Sequence, residues 1–413
     1  GNRLRLDIGA ARQRITDLGR AYGLTVRPDA LISDLGVGEK QRCEILKVLY
    51  RGANILILDE PTAVLVPQEV DELFASLREL TAAGSTVIFI SHKLDEVLRH
   101  ADAITVIRAG RTVAEIEDPN SVSARKLAEM MVGSELPIPE LRESTVTDEV
   151  VLGIDDLSVV DTDEFTDLRL VDSVSIDVHR GEIVGIAGVE GNGQSELVAA
   201  IMGLVESTGA ITVGGERIDG LSTLDRKALG IGHIPEDRQQ DGLALAFELW
   251  ENIMLGHHRR PPMASGVWID RDQARQRAAD VVDRFDIRTP GIDVPAFALS
   301  GGNQQKLVVG REMTAGPQVL LASHPTRGVD VGAQAVIWDI LRDARQAGLA
   351  TLLVSADLEE LIGLSDRLIV MLRGRIVAEL NPREITPSSL GSYMTGAASD
   401  ADQRAESTGE TAP

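Results

Sequence analysis

Cysteine is nearly absent: Cys43 is the only one in 413 residues. That excludes a disulfide framework and fits a reducing, cytosolic compartment. No apolar run approaches the roughly 18 residues a membrane-spanning helix needs, so no direct membrane span is expected. No signal-peptide pattern opens the sequence. Aromatic residues make up 3%, which leaves few platforms for stacking bases or sugars. Positive charge is scarce as well, with 41 Lys and Arg against 64 Asp and Glu and a formal net charge of -23. A nonspecific nucleic-acid binder needs cations to displace phosphate counterions, so nucleic acid is not an expected partner. The acidity reads as solubility.

What the chain does have is a long repeat. Leu35-Gly36-Val37-Gly38-Glu39 recurs 264 positions later as Leu299-Ser300-Gly301-Gly302-Asn303. At the same offset Asp59-Glu60-Pro61-Thr62 becomes Ser323-His324-Pro325-Thr326, Ser91-His92 becomes Ser355-Ala356, and Gly110-Arg111 becomes Gly374-Arg375. A period this long means two whole domains of one fold. The first copy holds an acid pair and a histidine, and the second has lost all three.

The expected organisation is a first domain at 1–135, a linker at 136–149, a second domain at 150–396 and a disordered tail at 397–413. Residues 1–30 read as helical. Ile55 to Leu58 and Thr86 to Ile90 are short apolar runs, as in parallel strands buried on both faces. Helices are expected at Val70 to Ala82 and Leu94 to His100, and two short strands flank the turn at Gly110. In the second half an antiparallel strand pair is expected over Val159 to Val178, then a buried strand over Glu182 to Ala187. Strands alternating with helices give an α/β fold with a mostly parallel sheet.

Gly188-Val189-Glu190-Gly191-Asn192-Gly193-Gln194-Ser195 follows that buried strand and precedes a helix over Glu196 to Met202. The spacing is that of a phosphate-binding P-loop, in which glycines let backbone N–H groups converge on phosphate oxygens at a helix N-terminus. Ser195 stands where a hydroxyl would ligate Mg2+. Gln194 occupies the lysine position, and a neutral amide cannot neutralise charge between two phosphates. The plain alternative is a glycine-rich strand-to-helix turn with no ligand. Asp59 and Glu60 end a buried strand, where α/β sheets bind ligands. Asp59 is suited to hold Mg2+ and Glu60 to polarise an attacking water, with His92 ending the next strand. Taken singly, each could be an ordinary surface residue. Their second-half counterparts Ser323, His324 and Ala356, together with Gln194, describe a degenerate site that binds without hydrolysing.

With these motifs in order, both halves resemble the nucleotide-binding domains of ATP-binding cassette (ABC) transporters, over about residues 1–396. Leu299-Ser300-Gly301-Gly302-Asn303-Gln304-Gln305-Lys306 is similar to the family's signature, Ile55 to Glu60 to its Walker B strand, His92 to its switch histidine, and Val329-Asp330 to its D-loop. The first half departs at the D-loop, with Leu65-Val66, and in its signature, where Gly36 and Val37 replace a serine and a glycine. The resemblance implies tandem P-loop NTPase domains, each with a helical subdomain, and ATP with Mg2+ as ligands. It implies that the halves pair head to tail, so that Asp59, Glu60 and His92 face Ser300 to Gly302, while Gln194, Ser195, Ser323 and His324 face Leu35 to Glu39. Nucleotide contacts are then expected from Gly188, Gly191, Asn192, Gly193, Gln194, Ser195 and Glu196, from Leu299, Ser300, Gly301, Gly302 and Gln304, and from Gly38 and Glu39.

Tandem fusion resembles the ATPase subunits of simple-sugar and nucleoside importers. Loss of the second acid pair favours the nucleoside branch. The implied partners are two transmembrane permease subunits and a substrate-binding lipoprotein, at the cytoplasmic face of the membrane, with Pro235-Glu236-Asp237-Arg238 in the region that meets them. The first-half counterpart of Gly188 falls before Gly1. The chain by itself is therefore expected to turn over ATP weakly or not at all, whether as a fragment, through a misassigned start or as a truncated product. The competing readings are a soluble tandem ATPase acting on ribosomes or DNA, disfavoured by the lack of a basic arm at 118–150, and a non-hydrolysing relic.

Overall fold

The computed structural model of the protein describes residues 7–22, 24, 26–32, 35, 37–62, 65, 67–91, 93–108, 110–132, 145–161, 168–258, 264–265 and 268–394. The chain divides into two compact units, Gly1–Ile138 and Pro139–Pro413. The expected tail at 397–413 and most of the expected linker lie outside the described residues.

The larger unit is built on a six-stranded sheet. Its order runs Ile231–Ile234, Val319–Ser323, Ala350–Val354, Ile183–Ala187, Arg367–Leu372, Arg375–Leu380. The first five strands are parallel, and the last pairs antiparallel with its neighbour. Every residue of Ile183–Ala187, Val319–Ser323 and Ala350–Val354 is buried, because both faces of the sheet are covered. One face packs on a four-stranded antiparallel sheet and the helix Gln194–Met202, through Val174, Ile176, Leu197 and Ile201. The other packs on the helices Leu249–Met254, Arg271–Arg284, Gly301–Thr314 and Val331–Gln346.

The antiparallel pair differs from the expectation. It is Val150–Val160 against Arg169–His179, not a pair within 159–178. Gly153 and the acids Asp155 and Asp156 look like strand breakers in sequence, yet the strand runs through them on irregular register, with Asp156 at φ 50.

In the smaller unit Ile55–Asp59 and Thr86–Ile90 pair in parallel. One face carries the core of Leu24, Ile45, Leu56, Phe74, Leu77 and Leu80. On the other face Ile55 and Ile57 are 61% and 68% exposed, and Ile88 and Ile90 about half exposed. Their counterparts Val319, Leu321, Leu352 and Val354 in the larger unit are all buried. The expected helix over 1–30 is shorter, Ile8–Ala21. The chain folds back after it: Leu24 N–H donates to Gly19 O at 2.8 Å, and a Cβ on Gly19 would meet Leu24 O at 2.6 Å, so only glycine permits the reversal.

Candidate functional site

In the larger unit the site is a rim at the carboxyl ends of three adjacent parallel strands. Ile183–Ala187 delivers Gly188, Val319–Ser323 delivers Ser323 and His324, and Ala350–Val354 delivers Ser355 and Ala356. Their registers, Val354 opposite both Ile186 and Ser323, bring the three turns together. This is where ligands bind in open α/β sheets.

The loop 188–195 is shaped by glycine. Gly191 and Gly193 hold φ 86 and 101, and Gly193 caps the helix Gln194–Met202. A Cβ on Gly193 would stand 2.3 Å from Leu170 O, whereas one on Gly191 would meet nothing within 4 Å. The loop is thus tight toward the protein and open on the ligand side, which fits a phosphate-bearing group. Gln194 is buried and its Nε2 donates to Val189 O at 3.3 Å. The amide closes the loop by hydrogen bonding but brings no charge. Asn192 braces the loop from outside: its Oδ1 accepts from Arg373 N–H at 2.7 Å, and its carbonyl from Gly374 N–H at 3.0 Å. Ser195 Oγ donates to Glu236 Oε2 at 3.4 Å, and Glu236 Oε1 pairs with Arg327. Glu196 lies in the first turn of the helix.

Ser323 is buried at its strand end. His324 sits at φ 47, with its N–H donating to Val354 O at 2.7 Å and its Nδ1 accepting from Ala356 N–H at 3.3 Å. Burial pushes the imidazole pKa down, with Glu236 opposing and Arg327 adding to the fall. A ring held neutral, with Nδ1 already engaged by backbone, is anchored in the turn. Below it Glu360 Oε1 accepts from Thr326 Oγ1 at 2.8 Å and Trp338 Nε1 at 3.0 Å. Burial drives the Glu360 pKa up to about 7; Asp357 adds to the rise, and hydrogen bonds from Ser355, Thr326 and Trp338 oppose it.

The signature residues begin the helix Gly301–Thr314, with Ser300 as N-cap and Leu299 buried before it. Ser300 Oγ makes no cap bond and accepts from Asn303 Nδ2 at 2.9 Å. Gly301 and Gly302 are closely packed: a Cβ on Gly301 would stand 2.7 Å from Arg238 Nη2 and push that side chain aside, and one on Gly302 would stand 3.2 Å from Ala333 Cβ. Gln304 is buried, donating to Ala296 O at 3.1 Å. The helix is tied to the sheet by Glu312, fully buried, which accepts from Lys227 at 2.9 Å, Arg311 at 2.8 Å and His233 N–H at 3.2 Å. Burial alone would raise its pKa, but Arg311 and Lys227 bring it down to about 2.

In the smaller unit the same turn recurs. Glu60 sits at φ 46, with its N–H donating to Ile90 O at 2.9 Å, and Asp59 lies opposite Ile90 in register. Thr62 Oγ1 donates to Glu96 at 2.5 Å, as Thr326 does to Glu360, but here Lys93 stands 3.6 Å from the carboxylate where the other unit has Asp357. Gly38 is buried in the helix Val37–Tyr50. Glu39 takes both Arg27 Nε and Nη2, at 2.9 and 2.8 Å. His92 lies outside the described residues, although Ser91 before it, whose Oγ accepts from Lys93 N–H at 3.0 Å, is placed. No cluster of three or more His, Cys, Asp or Glu stands at metal-binding distance among the described residues.

Sequence reasoning missed the ties that hold the site: Glu360 under the turn of Ser323 and His324, Glu312 under the signature helix, and Arg327 with Glu236. The only linear signals were an acid after each switch position and the charged run 236–238.

A glycine loop at a strand end, a strand-end turn repeated in both halves and a glycine-started helix define a nucleotide-binding cassette of the P-loop class. The ABC transporter family profile matches residues 3–63 and 171–327. Nucleoside import ATP-binding protein NupA of Lactococcus lactis subsp. cremoris is 42% identical over 394 residues, covering 95% of this chain and 77% of that protein. Guanosine import ATP-binding protein NupO of Bacillus subtilis is 43% identical over 394 residues, covering 95% and 76%. Glucose import ATP-binding protein TsgD13 of Haloferax volcanii is 41% identical over 399 residues, covering 95% and 72%. A dimeric post-hydrolysis structure of the ATP-binding cassette MJ0796, bound to ADP and Pi, superposes with TM-score 0.50 at 21% identity, over 57% of this chain and all of that one. The chain belongs to the ABC transporter family.

Proposed function

We propose that this chain is the ATP-binding subunit of an importer of nucleosides, with ATP hydrolysed at the Glu60 site, once a first-half phosphate loop completes it, to drive uptake across the cytoplasmic membrane. The observation that carries the reading is the pair of strand-end turns with the same backbone and different side chains: Asp59-Glu60 in one, Ser323-His324 in the other. Glu60 orients and deprotonates the attacking water, Asp59 and Ser195 serve Mg2+ in their respective pockets, and His92 contacts the terminal phosphate. Gly188 to Glu196 cradle phosphates, while Ser300 to Gly302 and Gln304 present a helix start to a nucleotide held by a facing cassette. Gly38 and Glu39 offer a poorer version of that start, because Glu39 is committed to Arg27. Ser323, His324 and Ala356 leave the second pocket able to bind and unable to cut.

Two permease subunits and a substrate-binding lipoprotein complete the assembly, with this chain peripheral at the cytoplasmic face. Nucleosides are favoured because Ser323-His324 breaks the acid pair expected of sugar importers, and because NupA and NupO are named for nucleoside and guanosine import. Sugars are the second reading, on the 41% identity to the glucose importer subunit. The test is uptake in cells lacking this gene: loss of labelled guanosine uptake with sugar uptake intact supports the reading, and the reverse overturns the choice of cargo.

A further inference from the structure

Arg238 follows the two acids beside the phosphate loop, and its guanidinium is spent inside the protein. Nη1 donates to Arg327 O at 2.7 Å and Nη2 to Gly328 O at 3.4 Å. Gly328 holds φ 64, which presents its carbonyl to the fork. Gly301, first residue of the signature helix, lies beside Nη2: a Cβ there would stand 2.7 Å from it, so the Arg238 side chain would have to shift to admit one. The next residue, Gln239, donates from Nε2 to Gln304 Oε1 at 3.0 Å, one turn into the same helix. Asp237 fixes the bend by accepting from Gln239 and Gln240 N–H at 2.8 and 3.1 Å.

On the other side the chain of contacts reaches the phosphate loop. Glu236 shares its two oxygens between Ser195 Oγ and Arg327. A polar path therefore runs from Ser195 through Glu236 and Arg327 to Arg238, and the next residue, Gln239, continues it to Gln304. Arg238 Nε is sealed from solvent and finds no acceptor among the described residues. A buried donor without a partner is costly and marks an arrangement that a second state could satisfy better.

We propose that Arg238 is a positioning residue that carries the state of the phosphate loop at Ser195 to the start of the signature helix at Gly301. The inference rests on the reading of residues 188–195 as a nucleotide site. When Ser195 Oγ is engaged by a bound Mg2+–nucleotide, Glu236 loses one of its two partners. Its remaining hold is on Arg327, whose carbonyl Arg238 grips. Gln239, next in the chain, holds Gln304 of the signature helix, so displacement of the Arg327–Gly328 carbonyls that draws Arg238 with it is passed to the helix start. The degenerate pocket then acts as a sensor: occupied or empty, it sets the geometry of a turn that serves another nucleotide.

The experiment is amide hydrogen exchange on the protein with and without Mg-ATP, comparing wild type, Arg238→Met, Arg238→Lys and Arg327→Met. Without nucleotide, Arg238→Met raises exchange at residues 301–306 and 326–330 by about tenfold, as expected for the loss of two charge-assisted hydrogen bonds. With saturating Mg-ATP, wild type changes its exchange at 301–306. Arg238→Met still binds within about threefold of the wild-type Kd but loses that change, because no phosphate contact has been removed. Arg238→Lys restores part of the response, since one donor without the fork reaches one carbonyl. Arg327→Met loses the response by the other end of the path, and decides the matter should Arg238→Met fail to fold. A wild-type response in both methionine variants overturns the proposal. Failure of the unaltered protein to bind Mg-ATP overturns the nucleotide-site reading instead; unchanged nucleotide-free exchange in Arg238→Met then overturns the strut by itself.

Discussion

The turn after Ile55–Asp59 and the turn after Val319–Ser323 are one backbone carrying two chemistries. Glu60 and His324 share φ near 46 to 47, and each donates its N–H to the last residue of the neighbouring strand. Thr62 and Thr326 each donate to an acid at the same offset. Glu60 is a carboxylate, while His324 is a neutral ring held by Ala356 N–H. The same left-handed turn therefore forms with either side chain. The strands differ just as much without disturbing it: buried on both faces in the larger unit, open on one in the smaller. The turn depends on the strand ends and their pairing, not on what covers the sheet.

The sharpest way to break this comparison is to remove the two residues one at a time. In the protein assembled with its permease, and with the Glu60 site completed by a first-half phosphate loop, Glu60→Gln should cut ATP turnover by roughly 10²- to 10⁴-fold, the range for loss of a general base. His324→Gln should change it by less than about threefold, because no base is lost there. Equal losses from the two, measured as phosphate release, would end the asymmetric reading.

A smaller effect sharpens it. Gln194→Lys adds the missing cation to a loop that otherwise has its glycines in place. Binding of Mg-ATP at the second pocket, followed by photolabelling, should tighten about tenfold, the worth of one charge-assisted hydrogen bond. Turnover at that pocket should stay absent, since Ser323 and His324 are unchanged. Hydrolysis appearing with Gln194→Lys alone would show that the strand-end residues are not what disables the pocket.

The smallest effect concerns the acids beneath the turns. Glu360 keeps its proton in the fold up to about pH 7. An unfolded glutamate ionises near 4.3. The native state then binds a proton that the unfolded state has lost, so the contribution is complete below about pH 4.3 and disappears as pH rises through 7. Glu360→Gln keeps the acceptor oxygen for Thr326 and Trp338 and removes the titration. Its melting temperature should match wild type at pH 5 and exceed it by on the order of 5 °C at pH 8. Glu96→Gln breaks the contact with Lys93 and should show no such gain. Parallel melting curves for Glu360→Gln and wild type from pH 5 to 8 would refute the buried neutral acid.

Much of the site was legible because its motifs are local. The glycines of 188–193 lie between an apolar run and a helix, and Asp59-Glu60 follow another apolar run directly. Ser300-Gly301-Gly302 announces a helix start by itself. What could not be read depends on partners far away in sequence. Glu312 reaches Lys227, 85 positions off, and Arg238 reaches Arg327, 89 positions off. Neither pairing has a spacing rule, because the chain between them is fold-dependent. The long helix expected over 1–30 ends early for a local reason instead: apolar spacing continues past Ala21, but Gly19 lets Leu24 turn back into the core.

The sequence by itself determined that there are two copies of one cassette, which copy has kept its carboxylates, and that the chain belongs with ATP-binding proteins. Those facts are carried by residue identity at a fixed offset, and identity does not depend on coordinates. Only the tertiary structure decided that Gly188, Ser323 and Ala356 meet on one rim, that His324 is anchored by the Ala356 N–H, and that Arg238 grips the carbonyls of Arg327 and Gly328. Each of these rests on strand register and on burial, which are set by how segments far apart in the chain pack.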